Sequence, residues 1–323
     1  MKLGIIGSGK IVHDFLSIVD QLDNVHVTAI LTTKRSQAIG EQLAERYQIA
    51  RAYHELDAFL QDTNVDTVYV AVPNQLHATM TQQSLEAGKN VICEKPFVRS
   101  REQALQLKTL AERKGCLLFE AVTTLYQPAF TALQKRLHEI EPIRVVSLNY
   151  TQYSSRYPAF LSGEKPTVFD LEKDGGALMD LNSYNLHAAI TLLGAPKKAI
   201  YVPTIQRGVD TSGTLVLDYP TCNAVLIAAK DASAPTRSLI EGENGSLFFD
   251  EPINALSSFT LAKRDQPSKT VSWPKQHRMI AEFQAFATAI AHHDMPFAAE
   301  RIMESIEAAS VLETAWQQLT AAL

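Results

Sequence analysis

Residues 91–97 read Val-Ile-Cys-Glu-Lys-Pro-Phe. An apolar run ends there in an acid, a base and a ring-locked residue. Pro96 disfavours the α conformation for Lys95 and holds it extended. A lysine at the end of a buried strand is thus aimed, with little backbone freedom, at the sheet edge where open α/β sheets bind ligands. Glu94 can hold that ammonium or face the ligand itself. A second stretch, residues 174–187, opens a helix on the glycine turn Gly175–Gly176. Asp180 and Tyr184 stand four apart and share a helical face, with His187 close to it. A phenol and a carboxylate on one face can form a proton-handling pair. A buried tyrosine bonded to an aspartate is also a common core arrangement.

A third stretch, Ile5-Ile6-Gly7-Ser8-Gly9-Lys10-Ile11-Val12, follows an apolar strand and precedes a helix. Gly7 permits the tight turn, Gly9 lets the backbone approach a pyrophosphate, and the helix N-terminus attracts negative charge. Lys10 and Ile11 open that helix. The third glycine of the pattern is absent, and Val12 stands in its place. The context predicts dinucleotide binding. The next strand ends in Thr32, Thr33, Lys34 and Arg35 with no acid. Two hydroxyls and two cations suit a ribose 2′-phosphate better than a bare hydroxyl, so NADP is favoured over NAD. The same cations also suit a solvated loop. Val72, Pro73, Asn74 and His77 form a further wall of the cofactor site: Pro73 fixes the strand exit, and Asn74 can cap the next helix.

These residues need a scaffold. The first third alternates apolar strands (2–7, 65–72 and 90–95 among them) with amphipathic helices, including 10–22 as one helix. Continuous apolar strands separated by helices predict a doubly wound α/β domain around a parallel sheet. From about residue 122 the pattern becomes half-buried alternation, interrupted by the helix at 176–194 and closed by two helices after 277. That predicts an α+β domain with an antiparallel sheet. The chain divides into a dinucleotide-binding domain, 1–121, and a substrate-binding and oligomerisation domain, 122–323.

The net charge of −5 argues against nucleic acid or an anionic membrane as partner. No apolar run approaches the roughly 18 residues a membrane span needs. The N-terminus is too glycine-rich for a signal peptide. Three scattered cysteines form no metal-binding pattern and suit a reducing cytoplasm. No metal is expected.

The chain resembles the Gfo/Idh/MocA oxidoreductases (glucose–fructose oxidoreductase, inositol dehydrogenase and relatives). The resemblance rests on residues 5–11, 71–96, 119–130, 175–184 and 240–250, and on the Glu282-Phe283-x-x-Phe286 helix start. The Glu-Lys-Pro of 94–96 is the most specific of these. The family implies a Rossmann domain, then a domain with an open, mostly antiparallel sheet often used for dimers or tetramers. It implies nicotinamide-dependent hydride transfer at a carbinol carbon of a sugar, polyol or cyclic diol. The family's strand-end lysine matches Lys95 and its helix aspartate matches Asp180. Tyr184 places the chain beside a tyrosine-containing subgroup that includes dimeric dihydrodiol dehydrogenase and NADP-linked xylose dehydrogenase. Thr123, Leu125 and Asn182 depart from that subgroup's Trp, Arg and Gly. They leave the substrate unnamed, with Tyr126, Tyr153 and His187 as candidate contacts for a small hydroxylated molecule.

Taking a hydride from an alcohol carbon requires a base within about 2.6–3.2 Å of the hydroxyl. A free phenol titrates near about 10 and a free ammonium near about 10.4, so neither serves alone at neutral pH. An ammonium beside a phenol favours phenolate. Tyr184 is therefore assigned as acid/base, Lys95 as the group that polarises the oxygen, and Asp180 as the residue that orients them and balances charge. The reverse assignment of Lys95 and Tyr184 stays open, because coupled groups titrate as a pair. The competing reading is a non-catalytic, nicotinamide-binding, redox-responsive regulator.

Overall fold

Strands that lie in the middle of a parallel sheet are covered on both faces, so their sequences do not alternate. The apolar runs of the first third behave in this way. In the computed structural model, which describes residues 1–323, they form β1 (Lys2–Ile6), β2 (His26–Leu31), β3 (Arg51–Tyr53), β4 (Thr67–Val70), β5 (Asn90–Glu94) and β6 (Leu118–Ala121). Between them lie α1 (Lys10–Leu16), α2 (Gln37–Arg46), α3 (Leu56–Leu60), α4 (His77–Glu86) and α5 (Arg101–Lys114). Every pairing is parallel and the strand order is β3-β2-β1-β4-β5-β6. The order reverses at β1, so the switch point lies at the carboxyl ends of β1 and β4. Local signals bound the helices. The Ser100 hydroxyl accepts the Gln103 N–H at 3.2 Å to start α5, and left-handed Gly115 (φ 65°) ends it.

The chain then forms α6 (Pro128–Arg136), β7 (Ile143–Thr151) and the short α7 (Tyr157–Leu161). A π-helical segment, Leu178–Asn182, runs into α8 (Ser183–Leu193). Seven further strands follow: β8 (Lys198–Gln206), β9 (Val209–Asp218), β10 (Asn223–Ala229), β11 (Ser238–Gly242), β12 (Gly245–Phe249), β13 (Ser258–Lys263) and β14 (Lys269–Ser272). Two helices close the chain, α9 (Met279–His292) and α10 (Met295–Ala322). The eight-stranded sheet has the order β14-β13-β12-β11-β7-β10-β9-β8 and is antiparallel except for β7 beside β10. One face carries the core, in which Leu148, Leu215, Leu226 and Leu247 meet Phe130 of α6, Leu186 of α8 and Leu312 of α10.

The sequence-based division at residue 121 does not describe the whole chain. One compact unit is Met1–Ala121 with Met279–Ile306; the other is Val122–Arg278 with Glu307–Leu323. The return of α9 to the first unit has an aromatic cause. Phe283 meets Phe15 and Tyr69 at ring-centroid distances of 4.3 and 5.1 Å, and Phe286 meets Phe119 at 4.8 Å. Other differences are local. The helix expected over 10–22 ends at Leu16, with a single 3-10 turn at Val19–Gln21. The strands β3 and β14 and the helix α7 are too short to show a period in sequence.

Candidate active site

The switch point in the first unit is built by Gly7. Its φ is +128°, and a Cβ there would lie 2.2 Å from the Ala71 carbonyl oxygen at the exit of β4. Only glycine lets the β1 turn pass so close to that strand. Gly9 precedes α1, has no side-chain cap bond, and would place a Cβ in open space. No acid lies in the first turn of α1. Exposed Lys10 and half-buried Ile11 follow. An open, uncapped helix start without a competing carboxylate fits the pyrophosphate of a dinucleotide. Val12, in the place of the missing third glycine, is fully buried, so the helix accommodates it.

The four residues after β2 separate into distinct roles. Thr32 is buried beneath Gly40, where an added Cβ would lie 2.6 Å from the threonine hydroxyl. Thr33, Lys34 and Arg35 are exposed. Lys34 is paired with Glu55 at 2.8 Å, an acid from the loop before α3 that the sequence pattern does not connect to it. Glu55 raises the proton affinity of the Lys34 ammonium through a hydrogen bond and through its charge. The Thr33 hydroxyl donates to Ser36 Oγ at 3.3 Å, and Arg35 is the second exposed cation of this loop.

His77 has a different place from the one expected. It is fully buried, with Nδ1 2.9 Å from the Pro96 carbonyl and Nε2 3.0 Å from the Val72 carbonyl. It ties the exit of β4 to the turn after β5 and presents no ring face to a ligand. Asn74 does not cap α4; it opens a 3-10 turn at Asn74–Leu76 after exposed Pro73.

The end of β5 is held at three consecutive residues. The Lys95 N–H donates to Glu94 Oε2 at 3.3 Å, the Pro96 carbonyl meets His77, and the Phe97 N–H donates to buried Glu120 at 2.8 Å. The Lys95–Pro96 peptide is cis. Glu94 is itself anchored, accepting the Tyr69 hydroxyl at 2.5 Å. Tyr69 carries no sequence motif, and the 119–130 segment that holds Glu120 does not connect it to Phe97. Both roles are recognisable only once β4, β5 and β6 are neighbours.

In the second unit, the segment expected as one helix starts as a π-turn. Such turns widen the helix and recur at functional sites. Here Asn182 and Asn185 pull it onto β10. Asn182 donates to the Leu226 carbonyl at 3.1 Å, and Asn185 donates to Ile227 and to Asn182, each at 3.0 Å. Asn182, the departure from glycine, is thus a structural anchor.

Tyr184 and Asp180 both belong to this segment, and each meets a cation that sequence reading missed. Arg278 Nη1 donates to the Tyr184 hydroxyl at 3.4 Å, and the Tyr150 ring lies 5.9 Å from that of Tyr184. Asp180 pairs with Lys230 at 2.7 Å. The Lys230 ammonium also donates to the Val168 carbonyl at 2.7 Å and lies 5.0 Å from the Phe169 ring centre. Lys230 closes an apolar strand, the same signal that drew attention to Lys95, so it was available to be found. Arg278 has no such mark.

Of the expected substrate contacts, His187 is buried inside α8 and Tyr126 is half-buried against the core. Tyr153 is 48% exposed and stands edge-on to Tyr157. Thr123 bonds the Asn254 carbonyl at 3.3 Å and Leu125 joins the core.

Residues 1–122 match the model of an oxidoreductase family with an NAD-binding Rossmann fold, and residues 136–248 match the GFO/IDH/MocA C-terminal domain. The chain belongs to the GFO/IDH/MocA oxidoreductase family. It is an NAD(P)-dependent oxidoreductase. It is 30% identical to scyllo-inositol 2-dehydrogenase (NADP(+)) of Bacillus subtilis, over 99% of this chain and 97% of the relative. It is 27% identical to D-xylose 1-dehydrogenase (NADP(+)) 2 of Haloferax volcanii, over 92% and 91%. Among solved structures it resembles KijD10, a 3-ketoreductase from Actinomadura kijaniata crystallised with NADP and TDP-benzene. The TM-score is 0.85 and the identity 24%, over 98% of this chain and 97% of that one. No helix of this GFO/IDH/MocA protein is long and apolar enough to cross a membrane.

Proposed function

We propose that this oxidoreductase interconverts the alcohol and carbonyl forms of a sugar, polyol or cyclic diol, with NADP preferred to NAD. The observation that carries the reading is the setting of Tyr184. Its phenol is buried, its oxygen meets the Arg278 guanidinium, and its helix also carries the ion-paired Asp180. The guanidinium donates to the phenol oxygen and so helps to orient the hydroxyl. Lys95 and Tyr184 serve the same proton transfer, with Tyr184 as acid/base, and Asp180 orients and balances them. When bound, nicotinamide accepts or returns the hydride. Gly7, Gly9, Lys10 and Ile11 would hold the pyrophosphate side, and Thr33 and Arg35 the ribose 2′-phosphate. The near full-length similarity to an NADP-linked inositol dehydrogenase supports both the cofactor choice and a cyclic polyol substrate. Tyr126 and Tyr153 stay on the substrate side.

The protein also acts as a cytoplasmic homo-oligomer in this reading. Ile200, Val216, Val225, Leu239 and Phe248 form one row across the outer sheet face through the pairings of β8, β9, β10, β7, β11 and β12. Nearby Val202 is 59% exposed. A second copy would cover this face, and light scattering of Val202→Glu checks it: an unchanged mass would reject that role.

Activity on a panel of inositols, sugars and cyclic diols with NADP and NAD tests the substrate reading. Lys95→Met and Tyr184→Phe should each lower kcat by at least about 10²-fold with NADPH binding retained. The double variant should be little worse than either single one, because both residues serve one event. Losses that multiply would refute the shared transfer.

A further inference from the structure

Asp210 lies on β9 outside the sequence-predicted site, with no exposed surface. Its Oδ2 accepts two hydrogen bonds, from the Tyr201 hydroxyl at 2.7 Å and from the Leu178 N–H at 2.8 Å. Leu178 is the first residue of the π-turn. Its amide is one that a helix start leaves without an intrahelical acceptor, and here a carboxylate from a distant strand supplies one. The other oxygen, Oδ1, is buried without a hydrogen-bond partner and presses on Gly176. A Cβ at Gly176 would lie 1.9 Å from it, and the φ of +106° at that residue also requires glycine. The glycine turn seen in sequence is therefore shaped to receive this carboxylate.

Asp210 is also linked to Asp180 through charge. The Lys230 N–H donates to the carbonyl of Thr211, the residue after Asp210, at 2.8 Å, so the chain just after β10 runs beside the start of β9. Lys230 holds Asp180 and stabilises the charged form of Asp210.

We propose that Asp210 is a positioning residue for Asp180: its carboxylate fixes the start of the π-turn, two residues before Asp180, through the Leu178 N–H. The inference rests on the assignment of Asp180 to the active site. Burial pushes the Asp210 carboxyl up to about 6, against the opposing effects of Tyr201, Leu178 and Lys230. The Tyr201 phenol from β8 is in contact with it, and the Lys230 ammonium after β10, which holds Asp180, acts on it through charge. The ionised form is the better acceptor for Leu178 and the better counter-charge for Lys230, so positioning strengthens as pH rises through that region.

The test uses the full chain with NADP and its best alcohol substrate. Asp210→Asn keeps an acceptor for both donors and removes the charge. It should lower kcat roughly 10- to 10²-fold and flatten the acidic limb of the kcat profile near pH 6. In an Asp180→Asn background the same change should have no further effect. Equal losses in both backgrounds would overturn the inference and leave the assignment of Asp180 intact. An Asp180→Asn variant as active as the parent would overturn both. Should Asp210→Asn fail to fold, Tyr201→Phe serves: it removes one donor to the carboxylate, so the acidic limb should move to higher pH, and an unmoved limb overturns the inference. Amide exchange gives a readout independent of activity. Leu178 should lose protection in Asp210→Ala, and unchanged protection would count against the proposal.

Discussion

The Asp180–Lys230 pair predicts an asymmetry between its two partners. The Lys230 side chain is 3% exposed, whereas that of Asp180 is 33% exposed. Removing one partner of a buried ion pair costs most when the charge left behind is the desolvated one. Asp180→Asn leaves the ammonium in the interior with neutral hydrogen-bond acceptors and Asp210 as its remaining counter-charge, and should cost about 3 kcal/mol, the low end for breaking a buried pair. Lys230→Met leaves an Asp180 carboxylate that water reaches and an Asp210 carboxyl that can take up a proton once the cation favouring its charged form is gone, and the thioether fills much of the space of the lost stem. The Val168 carbonyl is not orphaned, because it also accepts the Gly176 N–H at 3.1 Å. That change should cost about 1–2 kcal/mol, the range of one charge-assisted hydrogen bond. The double variant should regain most of the Asp180→Asn loss, since neither charge remains. Urea unfolding followed by a probe in the second unit gives the free energies. Thermal melts should fall by about 6 °C for Asp180→Asn, at about 2 °C per kcal/mol for a unit of this size. A Lys230→Met loss equal to or larger than the Asp180→Asn loss, or a double variant no more stable than Asp180→Asn, would refute the reasoning.

Three further outcomes are expected. Lys34→Ala with Arg35→Ala should weaken NADPH binding far more than NADH binding in a fluorescence titration, with Arg35 carrying most of the loss because Glu55 occupies Lys34; equal losses would reject the phosphate contact. Gly7→Ala should abolish cofactor binding or folding, since its Cβ would meet backbone at 2.2 Å, whereas Gly9→Ala has room for its Cβ and should fold, as circular dichroism would report. Asp210 binds its proton more tightly folded than unfolded, so its contribution to stability is full below about pH 4 and is lost as pH rises through about 6. The loss reaches about 3 kcal/mol, and Asp210→Asn should remove that slope; a stability difference from the parent that stays constant from pH 4 to 8 would contradict the burial argument.

The sequence alone determined what depends on near neighbours. Strand and helix periods predicted a parallel sheet followed by an antiparallel one, because burial on one face or two leaves its mark on every few residues. The glycines at 7 and 9, the Glu-Lys-Pro at 94–96 and the Asp180–Tyr184 spacing were legible for the same reason. Tertiary structure decided who pairs with whom. Asp180 meets Lys230 fifty residues on, and Tyr184 meets Arg278 ninety-four residues on. Glu55 takes Lys34, and His77 turns inward onto two carbonyls. The π-turn exists because Asp210 and the Leu226 and Ile227 carbonyls of β10 supply partners that no local pattern announces. Apolar periodicity states that a residue is buried. The partner of a buried polar group is set by which strands lie side by side, and that is a property of the folded chain.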